Sequence, residues 1–344
     1  MERIVEFDYL RGMAIAMIVL GHSIFIAQPD FPILLENLLR GGTGLFVFIS
    51  GFFFHRVFYA RFNYKQFLAK KFSALLIPFI VISMAALAIF ILDFWQDGLS
   101  RQEILFKSWD TVRYGYVLYP HWYIPFILLI FLCSPLHIAY IRAGLPVQII
   151  ILVALSGIAL LLHRPLLNAN ILQSLVYFTP YYLLGILFSL YQSQLRALHW
   201  PLLWLSLTVV IVSALLQTYV WVHIGNYHKA AFTYGGLDLQ FIQILFGCIF
   251  TLSICRHINW HWLQAHLFWL AELSFPIFFI HPFFTFALQK LAIFPSLKHL
   301  FLVTDVSSSL ILFMLVFVVQ LYGSAGIALL IRKLFKDRSK LLIG

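Results

Sequence analysis

The sequence predicts an all-α polytopic membrane protein, a bundle of about ten transmembrane helices with both termini cytoplasmic. Composition is the first reason. Of 344 residues, 62% are hydrophobic and 10% charged, whereas soluble domains carry about 25% charged residues. The second is that apolar residues fall in long blocks, not in the alternation of a membrane barrel. The third is that lysines and arginines gather at alternate block ends, the bias that sets helix orientation. Together these exclude a soluble globular protein, a disordered chain and a disulfide-stapled secreted domain.

Ten blocks are readable, at 11–28, 41–58, 73–95, 121–141, 146–163, 171–191, 201–222, 238–255, 265–288 and 308–331. Each approaches the roughly 20 residues that a helix needs to cross a bilayer. Gly51, Pro125, Gly185 and Pro276 lie inside blocks, where neighbouring helices can resatisfy the backbone. With the N-terminus inside, most of the 23 lysines and arginines fall on the cytoplasmic side. The densest run is Arg56, Arg61, Lys65, Lys70 and Lys71, with no acid among them; the longest external loop, 93–120, mixes four acids with three bases. The net charge of +10 is therefore read as an orientation signal, with no nucleic-acid partner. Cys133, Cys248 and Cys255 lie in or beside apolar blocks and read as buried thiols. No cleavable signal peptide is evident. The expected organisation is one membrane-embedded domain over 1–344, without an appended soluble domain.

Ionisable residues inside spans are costly and mark functional candidates. Arg11 and His22 are eleven steps apart, and eleven turns of about 100° return to the same helix face. At 1.5 Å per residue His22 lies roughly 16 Å deeper than Arg11. Such a pair suits an anion held at the inner surface and proton transfer at depth. The plainer reading has His22 bonding a neighbouring helix and Arg11 snorkelling to headgroups. Ser50-Gly51 is a notch for close helix approach, with Ser50 as a hydrogen-bond donor. His121, Trp122 and Tyr123 open the fourth block as either an interfacial belt or a platform for a sugar ring. The ninth block carries Glu272, Ser274 and His281, the last a second intramembrane histidine. Other histidines, among them His163, His223, His228, His257 and His261, fall in or beside loops, and no metal site is expected.

Asp8-Tyr9-Leu10-Arg11-Gly12 followed by His22 resembles the first-helix signature of the acyltransferase-3 family of integral-membrane acyltransferases, whose hallmark is a basic residue, ten residues, then histidine. Phe46 to Phe52 resembles its aromatic Ser-Gly-Phe motif. His121-Trp122-Tyr123, Tyr181-Tyr182-Leu183-Leu184-Gly185 and Ser274 to His281-Pro282 follow in the family's order. One departure is that Lys70-Lys71 stands where members often carry Arg-x-x-Arg; lysine supplies charge without a bidentate fork.

The resemblance implies a multi-pass protein of the bacterial cytoplasmic (inner) membrane. It implies O-acyl transfer, most often acetyl transfer, from acetyl-CoA or another acyl-CoA to a hydroxyl of a cell-surface polysaccharide or its lipid-linked precursor. On this reading Arg11, Arg56, Arg61, Lys65, Lys70 and Lys71 receive the polyanionic donor. His22 is general base or acyl carrier, Ser50 a candidate oxyanion donor. His281 orients the acceptor or moves a proton, with His121, Trp122, Tyr123, Glu272 and Ser274 at the substrate. The competing class is a transporter or flippase of a glycan intermediate. Related halves mark many transporters, and no mirrored copy of these motifs is visible.

Overall fold

A computed structural model describes residues 3–27, 31–222, 228–233, 235–290 and 306–344; His223 and residue 28 of the first block lie outside them. All ten predicted blocks fall on helices. The principal helices are α1 (Val5–Ala27), α2 (Ile33–Leu39), α3 (Gly42–Phe53), α4 (Tyr64–Gln96), α5 (Arg101–Arg113), α6 (Tyr123–Leu132) and α7 (Ser134–Arg142). They continue as α8 (Leu145–Leu162), α9 (Ile171–Leu190), α10 (Gln192–Ala197), α11 (His199–Leu215), α12 (Leu239–Cys255), α13 (His261–Lys290), α14 (Val306–Phe335) and α15 (Ser339–Ile343). Two short strands, β1 (Arg164–Pro165) and β2 (His228–Lys229), pair in parallel. They join the loop after α8 to the loop after α11.

Among the described residues, seven helices are long and apolar enough to cross a membrane, or eight if a bent pair counts as one span. The expected blocks outside that count are 11–28 and 238–255. Block 238–255 forms a helix of 17 residues, short for a span. Block 121–141 is broken: α6 and α7 meet at 53°. Pro135 in the first turn of α7 has no N–H and crowds the carbonyl four residues back, which ends α6 there. Block 41–58 leaves regular helix after Phe53 in a π-helical turn, Phe54–Phe58.

Polar residues mark the helix starts. Asn63 accepts from Gln66 N at α4, Asn170 from Leu172 N and Gln173 N at α9, and Asp238 from Phe241 N at α12. Ser100 and Glu103 form a reciprocal capping box on α5. Helices α9 and α13 are largely buried, whereas α4, α8 and α11 present most of their apolar surface outward. That outward surface is what a lipid solvent requires.

The central contacts depend on absent side chains. A Cβ on Gly51 would lie 2.0 Å from Tyr182 O, and one on Gly185 2.0 Å from Phe48 O, so α3 and α9 touch backbone to backbone. Likewise a Cβ on Gly12 would lie 2.2 Å from Leu267 O, which sets the approach of α1 to α13. Gly51→Leu is therefore expected to destabilise the bundle by about 3 kcal/mol, the upper range for overpacking, because the obstacle is backbone. Thermal unfolding in detergent, followed by thiol labelling of buried Cys248 and Cys255, checks this. An unchanged midpoint would show that the two helices can separate freely.

Candidate active site

Helix α13 collects both signature residues of α1. Arg11 Nη2 donates to Ala271 O at 3.0 Å and to Ser274 Oγ at 3.3 Å. Three turns deeper, His22 Nδ1 and His281 Nε2 are 2.9 Å apart. The imidazole planes agree within 5° with centroids 5.1 Å apart, so this hydrogen bond runs edge to edge along the ring planes.

The direction of the bond follows from its far end. His281 Nδ1 lies 2.9 Å from Ile277 O, and a carbonyl only accepts. With both rings neutral, His281 Nδ1 carries hydrogen and its Nε2 carries the lone pair; His22 Nδ1 must donate, and His22 Nε2 is left as an acceptor. The carbonyl is fixed by α13 itself, so the backbone dictates the tautomer of a side chain on another helix. Second partners of this kind fix ring orientation and basicity.

A polar chain flanks the pair. Tyr119 packs edge-on against His22 with centroids 4.7 Å apart. Its hydroxyl is 3.1 Å from Thr285 Oγ1, which accepts from Gln320 Nε2 at 2.7 Å. Gln320 Oε1 accepts from Ser23 Oγ at 2.9 Å. Ser23, Thr285 and Gln320 are buried, and their bonds join α1, α13 and α14.

His22 lines two adjoining cavities. The inner one, about 50 Å³, is walled by Ile18, Phe46, Trp122, Tyr123, Phe275 and Phe278, with Ser274 at its edge. The outer one, about 490 Å³, lies beyond Thr43 and Trp122. Arg164 lines both. Its guanidinium lies 4.9 Å from the Trp122 ring centroid and 5.6 Å from that of Phe178, and its Nε donates to Asn168 Oδ1 at 2.7 Å. Burial lowers its pKa to about 10, so the group stays protonated at neutral pH. Opposite in the strand pair, His228 donates from Nδ1 to Pro165 O at 2.6 Å. Burial, and then Arg164, bring its pKa down to about 4, so it is neutral.

A third cavity, about 550 Å³, lies at the end of the bundle where α1 begins. Arg3, Arg56 and Arg196 line it, with Glu6 as the acid among the lining residues. Along α1 the order is this cavity, Arg11, then both other cavities at Ile18 and His22.

The other candidates from the sequence are dispersed. Trp122 and Tyr123 wall the inner cavity. His121 sits behind it, enclosed by Phe79, Phe278 and Phe279. Ser50 does not line either cavity at His22; its hydroxyl donates to Phe46 O at 2.8 Å. Glu272 faces outward, and its backbone oxygen accepts from Arg332. Of the basic residues assigned to the donor, Arg56 lines the third cavity. Arg61, Lys65 and Lys70 are exposed away from it, while Lys71 lies over the Phe58 and Phe131 rings. Among the described residues no group of three or more His, Cys, Asp or Glu could hold a metal ion.

Arg164, Gln320, Arg3 and Arg196 were not singled out from the sequence. Arg164 carried a signal, as an arginine on the predicted outer side, against the orientation bias. Gln320 carried another, an amide inside an apolar block.

A family model described as an acyltransferase domain, that of acyltransferase 3, matches residues 4–329. No curated protein and no solved structure matches the chain.

Gln320→Leu removes one bond each from Ser23 Oγ and Thr285 Oγ1, which keep Val19 O and Tyr119 OH as partners, at about 0.5–1.5 kcal/mol for each bond lost. A lowered unfolding midpoint is expected. Equal midpoints for Gln320→Leu and wild type would remove this chain from the account of how α14 is held.

Proposed function

We propose, from the premise that this multi-pass membrane chain belongs to the acyltransferase-3 family and is an acyl-transfer enzyme, that it moves an acetyl or other short acyl group from acyl-CoA in the cytoplasm to a hydroxyl of a bacterial cell-surface polysaccharide or its lipid-linked precursor. The observation that carries the reading is the directed pair at His22 and His281, which leaves His22 Nε2 as an acceptor on a ring shared by two cavities.

In the reaction, the acceptor oxygen attacks the thioester carbonyl while its proton passes to His22 Nε2. The resulting oxyanion collapses, the carbon–sulfur bond breaks, and the coenzyme A sulfur leaves with the proton from His22. Protons and charge balance, and His22 returns to its starting state. Developing positive charge on His22 is shared through Nδ1–H with His281, which acts as a positioning residue. Ser50 is poorly placed for the oxyanion, because its hydroxyl is engaged by Phe46 O and it lines neither cavity at His22.

The cavity at the start of α1 supports a polyanionic donor, because Arg56 lines it together with Arg196, paired with Glu6, and Arg3, paired with Asp8. Arg11 stands between that cavity and His22. The inner cavity supports a short acyl group, since about 50 Å³ enclosed by aromatic rings leaves little room for a longer chain.

With radiolabelled acetyl-CoA and glycan acceptors in nanodiscs, His22→Ala is expected to lower turnover 10²–10⁴-fold, the usual range for a general base. His281→Ala removes the acceptor for His22 Nδ1–H and should lower kcat more than it raises KM. Full turnover by His22→Ala at equal protein level would overturn the assignment. Label retained on wild type without acceptor would instead mark an acylated His22. Phe278→Ala enlarges the inner cavity, and butyryl-CoA should gain at least tenfold relative to acetyl-CoA, since one methylene in a fitted pocket is worth roughly 10–200-fold. An unchanged ratio would put the acyl group elsewhere.

A further inference from the structure

The outer cavity has a built charge. Among the described residues that line it, the cationic side chains are Arg40 and Arg164, and there is no carboxylate. Glu36, which pairs with Arg40, and Asp238, near Arg164, stand behind the wall. The rest of the wall is largely aromatic, including Tyr116, Tyr119, Trp122 and Phe178. At about 490 Å³ the space falls in the range of small-molecule sites.

Arg164 is aimed inward at a cost. His163, just before it, has φ 61 and ψ 172, a region occupied almost solely by glycine. Leu167 and Asn168, just after it, also have positive φ, at 51 and 56. Such backbone is strained, most of all at His163 and Leu167, and persists where the surroundings overdetermine it. The surroundings do so here. Gln173 Nε2 contacts the carbonyls of Leu162, His163 and Lys229 at 3.0–3.2 Å, and His163 Nε2 donates to Gly236 O at 2.9 Å. Two rings and Asn168 then hold the guanidinium itself. A neutral sugar needs hydroxyl partners, not a strained loop that fixes an arginine. A carboxylate or phosphate is what a guanidinium binds in bidentate geometry.

We propose that the outer cavity takes an anionic saccharide, whose carboxylate or phosphate is held by Arg164 and Arg40 while its rings lie on the aromatic wall and its hydroxyl turns to His22. This rests on the acyl-transfer reading and adds the chemical class of the acceptor. It also assigns Arg164 and Arg40 a role in specificity.

The test uses the full chain in nanodiscs and three probes: methyl glucoside, methyl glucuronide and methyl glucoside 6-phosphate. Binding is measured without any acyl-CoA, by saturation-transfer NMR, and transfer is measured separately with labelled acetyl-CoA. At least one charged probe should bind ~10–100-fold more tightly than the neutral glycoside, the range for hydrogen bonds to a charged group. Which charged probe wins names the anion. Arg164→Gln and Arg40→Gln should each cut that ratio about tenfold. Arg164→Lys, which keeps the charge without the fork, should recover part of it, and unfolding midpoints show that the variants fold.

The proposal is overturned if the neutral glycoside binds as well as both anions, if neither anion binds wild type, or if folded variants keep the wild-type ratio. Charge-selective, arginine-dependent binding without transfer supports the cavity's assignment and counts against acyl transfer. Transfer to all three probes without preference does the reverse.

Discussion

The edge-to-edge hydrogen bond between His22 and His281 is the interaction on which the working part of the molecule depends. A buried imidazole is favoured when its ring nitrogens find partners. The Ile277 carbonyl supplies one for His281, and His281 supplies one for His22. The bond is meaningful only if α1 and α13 keep their rotation and separation, because a step of one residue turns a helix by about 100°. Several features serve that requirement. Gly12 lets α1 lie against the backbone of α13, Arg11 ties the two helices one cavity away, and the Ser23–Gln320–Thr285 chain closes the deeper side with α14.

The three cavities are arranged by that axis. A basic space at the start of α1, an aromatic niche at His22 and a wide chamber beyond it divide the tasks of holding a charged donor, a small reacting group and a bulky acceptor. Helices α1, α3 and α13 supply much of the niche wall, whereas the chamber is also bounded by loop residues Arg40, Tyr116, Leu166–Asn168 and His228. Those loops are stiffened by the β1–β2 pairing and by the amide of Gln173. Loops carrying chemistry on a firm scaffold are common; here they are held by buried amides that reach carbonyl groups.

Much of this was legible in the sequence, at a definite level. Apolar blocks report burial in lipid or protein, and each of the ten falls on a helix. Block length reports nothing of continuity, so the break between α6 and α7 needed the geometry around Pro135. The spacing of Arg11 and His22 put them on one face, and both do reach α13. Their counterparts on α13, Ser274 and His281, also stood out. What the sequence did not display was rotation about helices with no periodic clue. Glu272, two residues before Ser274, points outward, His121 is sealed behind phenylalanines, and Ser50 turns back on its own helix. A side chain's direction there is set by packing across helices, which a single chain does not display. Arg164 escaped because its position depends on left-handed backbone at His163, Leu167 and Asn168, and none of these is a glycine that would have announced it.

Helix α4 carries a different consequence. Its 33 residues make a rod of about 50 Å at 1.5 Å per residue, against a hydrocarbon layer about 30 Å thick. Its first two turns hold Lys65, Lys70 and Lys71, and most of its length faces outward. While Lys71 stays over the Phe58 and Phe131 rings, the mismatch is absorbed by tilt and by the exposed Lys65 and Lys70 reaching the headgroups of one leaflet, where each gains about 1 kcal/mol on an anionic surface. These lysines thus act as a waterline, fixing how deep the bundle sits. Because α4 is peripheral, a change in bilayer thickness is taken up by its inclination, while the α1–α13 pair at the centre keeps its register.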